Sequence, residues 1–169
     1  MDAKMTHADR VKQDIVYQTD PGLTPTMNRY GCRVRVLLAI PEFIVGTALS
    51  AEQINDIVDR GRRVEDVIVN DQMRSGRAEH WLINESFRVL GSQRIGRQVG
   101  WAPEHITSQT WEYMIAHWET DGPDGHFTLF DRRQSEIFDP HNPMQANGYV
   151  INKKRIVRRL VYHTWESVS

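Results

Sequence analysis

Three residues whose chemistry suits nucleophilic catalysis are spread along this chain of 169 residues. Cys32, the only cysteine, follows a glycine at the head of an apolar run. His126 opens the apolar segment HFTLFD, and Asp139 closes the next one, EIFD. A thiolate attacks a carbonyl carbon, an imidazole takes the thiol proton, and a carboxylate fixes the imidazole tautomer. These three residue types therefore raise the hypothesis of a cysteine hydrolase.

The surroundings of Cys32 place its sulfur where a loop meets a helix. Residues 18–31 are rich in turn formers and predict a loop. From Arg33 to Ala39 the chain favours a helix with Leu37, Leu38 and Ile40 buried, which Pro41 bends or ends. The positive end of a helix favours a thiolate. Taken alone, however, Cys32 is more simply a core residue, because free cysteines are among the most buried residue types.

His126 and Asp139 lie on two short predicted strands, 126–131 and 135–139, which form a hairpin around 132–134. Antiparallel pairing about that turn joins residues whose numbers sum to about 265–266, so Asp139 is expected almost opposite His126. Each residue alone has a simpler explanation, since His126 follows two turns and Asp139 precedes a proline.

The remaining elements predict an α+β domain. Helices are expected over 50–61, with Ser50 and Gln53 as a capping box and Gly61 as the stop, and over 77–91. Strands are expected over 94–101, 111–120 and 155–165. Helices followed by an antiparallel meander are typical of the α+β class. Residues 1–169 form one predicted domain, with 1–15 as a polar, flexible leader.

Composition limits the classes of function. The formal net charge is −1, so the overall field suggests neither nucleic acid nor a membrane surface as a partner. A single cysteine excludes an internal disulfide and a cysteine-rich zinc site. No apolar run is long enough to cross a bilayer, and no signal region opens the chain, so we expect a cytoplasmic protein.

The joint pattern resembles the papain-like cysteine peptidase superfamily. A cysteine at a helix start, a histidine opening a strand and an aspartate ending the next strand follow that chain order. More narrowly, Gly31–Cys32 and GHFTLFDRRQSEIFDP (125–140) resemble the double-glycine leader peptidases that process bacteriocins. Between these two stretches only the order of elements is similar.

This resemblance implies a papain-like fold, with N-terminal helices on a C-terminal antiparallel sheet. It implies Cys32 as nucleophile, His126 as general base and Asp139 as the orienting acid, acting on a peptide or amide bond of a peptide or protein substrate. No cofactor or metal is implied. An upstream amide side chain would help to bind the oxyanion, and Asn28 is preferred over Gln18. Arg33 departs from the family, which often has glycine after the cysteine.

Other classes of function remain open at this point. The same domain could be a catalytically inactive binding module for a protein or a nucleic acid, or could transfer an acyl group to another acceptor. The basic stretch 152–159 could contact phosphates, although a solvated strand edge is the simpler explanation. His117, His126, Asp139 and His141 are alternative metal ligands, but they lack the usual spacing. The pattern predicts no membrane contact and specifies no oligomeric state.

Overall fold

The computed structural model describes residues 4–64, 67–69, 72–73, 77–102, 111–122, 125–141 and 151–166. Within these residues the chain begins with helices: α1 (His7–Asp14), α2 (Pro25–Tyr30), α3 (Cys32–Val45), α4 (Ala51–Arg63) and α5 (Arg77–Val89). Two short strands, β1 (Ile68–Val69) and β2 (Gln72–Met73), pair between α4 and α5. No helix of the described residues is long and apolar enough to cross a membrane.

The second half of the chain forms one antiparallel sheet. Its strands are β3 (Arg94–Ala102), β4 (Tyr113–Glu119), β5 (His126–Asp131), β6 (Glu136–Phe138) and β7 (Arg155–Glu166). The order across the sheet is β3-β7-β4-β5-β6. The α+β class is therefore confirmed, whereas the expectation of a simple meander is wrong, because β7 lies between β3 and β4.

Burial explains why β7 takes an interior position. Leu160, Val161 and Tyr162 are consecutive, and all three are almost fully buried. Successive side chains of a strand point to opposite faces, so such a run requires cover on both faces. Leu160 and Tyr162 join the main core, and Val161 joins a smaller cluster with Trp111 and Met114. The poor alternation of this segment thus indicates an interior strand.

Helix α3 forms the centre of the main core. Leu37, Leu38 and Ile40 are at most 1% exposed, as the sequence predicted, and burying each contributes about 1.5–3 kcal/mol. The expectation that Pro41 ends this helix is wrong, since α3 continues to Val45 and ends before Gly46, which is in the left-handed conformation. A proline in a helix interior costs about 3 kcal/mol. Tertiary contacts offset that cost, because Phe43 is buried within the same core.

Helix α4 begins as predicted but ends two residues later. Ser50 accepts from the Gln53 backbone amide while the Gln53 side chain accepts from Ser50, which is a complete capping box. Gly61 does not end the helix, which runs to Arg63. A Cβ at Gly61 would lie 2.9 Å from the Cδ1 atom of Ile68 in β1, so the end of that side chain would have to shift to admit it.

The segments expected to be a leader and a loop contain the first two helices. Thr6 and Asp9 form a capping box for α1, and Val11 and Ile15 are buried, with α1 packed against α3. Helix α2 begins after Thr24, which accepts from the Met27 amide. One residue, Gly31, separates α2 from α3.

The hairpin of β5 and β6 forms with a shifted register. Phe130 pairs with Glu136, but Leu129 pairs with Phe138, because an irregularity between them adds a residue to β6. Asp139 is therefore not directly opposite His126, although the sequence predicted that it would be almost opposite. Continuing the register would set it beside Thr128, and its carboxylate reaches His126 diagonally, a distance that long side chains span.

Candidate active site

Cys32 is the first residue of α3, and it is partly exposed. Its position depends on Gly31, where a Cβ would lie 2.5 Å from the Met27 carbonyl oxygen. Only glycine allows α2 and α3 to follow each other this closely. No side chain caps α3 at Gly31, so no capping group occupies the amides of its first turn. The sulfur therefore lies at the positive end of a fourteen-residue helix.

His126 begins β5 and is 1% exposed. Gly125, immediately before it, has a φ of +68°, in the left-handed region. A Cβ there would lie 2.5 Å from His117 Nε2 and 2.8 Å from the Trp118 carbonyl oxygen. Glycine is thus required twice over, by conformation and by space, and it directs the chain so that the His126 ring enters the interior.

Asp139, just after β6, meets the His126 ring. Asp139 Oδ1 lies 2.7 Å from His126 Nε2 and also accepts from the His141 backbone amide at 3.0 Å. The Cys32 side chain lies near enough to the same ring to raise the pKa of His126. Because Nε2 is engaged by Asp139, Nδ1 is the ring nitrogen left for Cys32. The structure therefore brings together all three predicted residues, in the order sulfur, imidazole, carboxylate.

The charges of these groups set the protonation of His126. Burial lowers the pKa of His126, but the hydrogen bonds to Asp139 and Cys32, with the charges of both, raise it from 6.5 to about 9. Burial raises the pKa of Asp139, but His126 and Lys153 outweigh it, so that the Asp139 pKa is lowered overall. At neutral pH the pair is therefore an imidazolium beside a carboxylate.

Arg33 takes part in a network of charged and polar side chains. It occupies the position after the cysteine, where the family that this sequence resembles often has glycine. Its guanidinium forms an ion pair with Glu79 of α5, whose other oxygen accepts from Tyr162 Oη at 2.7 Å. The guanidinium also lies 5.7 Å from the ring centre of Phe127, the residue after His126. Arg33 thus joins the start of α3 to α5, β5 and β7.

A second ion pair, which is fully buried, begins two residues further along α3. Arg35 and Glu42 are both fully buried, with Nη2 and Oε2 2.7 Å apart. Arg35 Nε donates to the Val16 carbonyl at 2.6 Å, and its guanidinium lies 5.2 Å from the ring centre of Phe138. Burial raises the pKa of Glu42 despite the charge of Arg35. This pair ties α3 to the two segments that carry Gln18 and Asp139.

The two proposed oxyanion residues lie in different environments. Asn28 Nδ2 donates to the backbone carbonyls of Gln18 and Asp20, at 2.7 and 2.9 Å. Gln18 is 5% exposed, its Nε2 donates to the Asn28 carbonyl at 3.1 Å, and its backbone amide donates to the Pro140 carbonyl at 2.8 Å. The Gln18 backbone therefore lies beside the residue that follows Asp139, while Asn28 holds the loop in place.

One cavity borders the site, and a second lies apart from it. One of about 240 Å³ borders Asp139 and His141, with apolar walls that include Ile15 and Tyr17. Another, of about 390 Å³, lies beside Ile44 at the far end of the helix and includes none of the three site residues.

The other sequence hypotheses fall on residues with separate contacts. His117 stacks on Phe127 with ring centres 4.3 Å apart. Within the described ranges no group of three or more His, Cys, Asp or Glu residues is placed to hold a metal. In the basic stretch, Lys153, Lys154 and Arg155 form ion pairs with acidic residues of the same chain.

Sequence reasoning missed the contacts of Lys153 and His141 with Asp139. The sequence predicted Lys153 only as part of a basic cluster and His141 only as an alternative metal ligand. The spacing of His141, two residues after Asp139, could have suggested an Asx turn, in which the aspartate side chain accepts from that amide. No local signal could have indicated Lys153, because its contact depends on where β7 joins the sheet.

Comparison with family models, with curated proteins and with solved structures finds no match for this chain.

Proposed function

We propose that this protein is a cysteine hydrolase of papain-like type that cleaves a peptide or amide bond. The observation that carries the proposal is the buried imidazole of His126, which is hydrogen-bonded to Asp139 and lies near enough to Cys32 for that side chain to raise its pKa. A core cysteine needs no such partner. The arrangement of α3 against the sheet supports the papain-like assignment, because it sets a helix N-terminus beside β5.

The reaction begins from the Cys32 thiolate and the His126 imidazolium. The thiolate attacks the carbonyl carbon of the substrate, and the carbonyl oxygen gains negative charge. The imidazolium then gives its proton to the leaving amine, and an acyl-enzyme remains on the sulfur. Water, deprotonated by the now neutral His126, attacks the thioester and releases the acid and the thiolate. Asp139 keeps the ring oriented and stabilises its charged form throughout.

Gln18, rather than Asn28, is the better candidate for the side-chain donor to the oxyanion. Both amide protons of Asn28 are engaged by backbone carbonyls. Gln18 Nε2 uses one proton on the Asn28 carbonyl and retains a second. The Cys32 backbone amide, at the first position of α3, supplies the other donor.

This chemistry requires no cofactor, and its free thiol suits the reducing cytoplasm. The opposing hypothesis is an inactive module that keeps the cleft for binding. Binding of a nucleic acid by such a module is less well supported, because Lys153, Lys154 and Arg155 form ion pairs with acidic residues of the chain. These ion pairs offset the positive charge that contacts with phosphates require.

The first test is the rate of Cys32 alkylation by iodoacetamide as a function of pH. An isolated thiol reacts mainly above about pH 8.5, whereas the paired sulfur is expected to react rapidly at pH 6–7. His126→Gln should abolish this early reactivity, and His7→Gln, a histidine outside the site, should not. Identical profiles in the wild type and His126→Gln would refute the pairing.

The second test is turnover. The wild type and Cys32→Ser are incubated with a mixture of unstructured peptides, and new termini are identified by mass spectrometry. Hydroxylamine added during the reaction should convert the acyl-enzyme to hydroxamates. A paired thiol that produces no new termini would favour the inactive binding module.

A further inference from the structure

Each oxygen of the Asp139 carboxylate has its own partner. Oδ1 accepts from His126 and from the His141 amide, whereas Oδ2 lies 3.0 Å from Lys153 Nζ. Lys153 lies in the segment that leads into β7, far from the β5–β6 hairpin along the chain. A carboxylate held at one oxygen can turn about its Cβ–Cγ bond, whereas contacts to both oxygens fix its plane.

Lys153 is itself held from several sides. Its ammonium lies 3.1 Å from Glu136 Oε1 and 5.6 Å from the ring centre of Trp118, and its side chain is 26% exposed. Trp118 is in turn fixed by donating to Thr128 Oγ1 at 2.8 Å. A lysine side chain normally loses about 2 kcal/mol of conformational entropy when it is ordered. Here the contacts with Asp139, Glu136 and Trp118 offset that loss of entropy, so the ammonium has a defined position beside the site.

We propose that Lys153 is a positioning residue, which fixes the Asp139 carboxylate in the plane that presents Oδ1 to His126. The inference adds a fourth residue to the three of the proposed function. Its consequence for turnover rests on that function, but its effect on the His126–Asp139 contact does not.

Charge and orientation predict opposite results when Lys153 is lost. As a positive charge, Lys153 disfavours the imidazolium of His126, so losing the charge alone would raise the His126 pKa. As an orienting group, it maintains the hydrogen bond that raises this pKa, so losing the orientation would lower it. The groups that face His126 are Asp139, Cys32 and the edge-on ring of His141, and they are the same in both cases.

The experiment compares Lys153→Met with the wild type by NMR titration of the His126 ring. Methionine keeps the length of the side chain without the ammonium. We expect the His126 pKa to fall by about one unit from about 9, and the alkylation of Cys32 at pH 6.5 to slow by up to about tenfold. Lys153→Arg should retain the wild-type values, because a guanidinium can donate to the same oxygen.

Glu136→Gln is the matched control, since it removes the other acidic partner of Lys153 and leaves Asp139 untouched. It should stay close to the wild type. A His126 pKa that is unchanged or raised in Lys153→Met would overturn the inference, even if the wild-type thiol is reactive and turns over substrate. Conversely, an unreactive wild-type thiol would count against the proposed function, while the two titrations still decide the role of Lys153. Urea unfolding of each variant shows that it is folded.

Discussion

The raised pKa of His126 makes the stability of the fold depend on pH. In the unfolded chain the imidazole titrates near 6.5, and in the folded chain near 9. A folded-state pKa above the unfolded one means that folding takes up a proton. The stabilisation is therefore fully present below about pH 6.5 and is lost as the pH rises through about 9. The difference of roughly 2.5 units corresponds to about 3 kcal/mol.

The perturbation is His126→Gln, and the assay is urea unfolding between pH 6 and pH 10, followed by tryptophan fluorescence. Both proteins carry Cys32→Ser, so that the proton on His126 cannot come from the thiol of the site itself. The free energy of unfolding of Cys32→Ser is expected to fall with rising pH by up to about 3 kcal/mol more than that of the Cys32→Ser/His126→Gln variant. The substitution lowers stability at every pH, so the comparison uses the slopes.

His7→Gln in the same Cys32→Ser background provides the control, because it removes one histidine from the exposed face of α1 and should keep the slope of Cys32→Ser. Parallel curves for Cys32→Ser and for Cys32→Ser/His126→Gln would refute the reasoning, since they would mean that folding takes up no proton at His126. An opposite slope would mean that burial outweighs both hydrogen-bonding partners.

Three further predictions concern the elements that support the site. Gly125→Ala should lower the urea-derived free energy of unfolding by at least about 1 kcal/mol more than Gly91→Ala, because both have positive φ but only Gly125 lies against other atoms; equal losses would contradict this. Tyr162→Phe should cost about 1–3 kcal/mol by leaving one Glu79 oxygen without its donor, and unchanged thermal stability would show that the oxygen is satisfied otherwise. Val11→Ala should cost about 2 kcal/mol at the contact of α1 with α3, with no change in the alkylation rate of Cys32; slower alkylation would link α1 to the site.

Features encoded over a few residues were predictable from the sequence. The capping box of Ser50 and Gln53 involves residues three apart, and both strands of the β5–β6 hairpin surround one short turn. The register shift in that hairpin was not predictable, because a local pattern does not show that Phe138 is buried in a core built by distant elements. The sequence therefore indicated that His126 and Asp139 lie close together, but it did not give the register in which their strands pair.

Features that depend on distant contacts could not be predicted in this way. The passage of α3 through Pro41 depends on burial against other elements, which outweighs the local preference of proline. The interior position of β7 depends on partners far away in the chain, and so does the contact of Lys153 with Asp139. Whether Gln18 or Asn28 has a proton to spare depends on hydrogen bonds that only the folded loop makes.

The interior position of β7 also sets the order in which the molecule assembles. Strands β3 and β4 do not pair with each other, because β7 lies between them, whereas β4, β5 and β6 pair in chain order. During synthesis on the ribosome, the sheet must therefore wait for the segment beyond residue 155, although the β5–β6 hairpin can form earlier. Such distant pairing is slow and leaves strand edges open in the meantime. Tyr162 arrives with the same strand, so Cys32 leaves the ribosome about 130 residues before the network beside it can be completed.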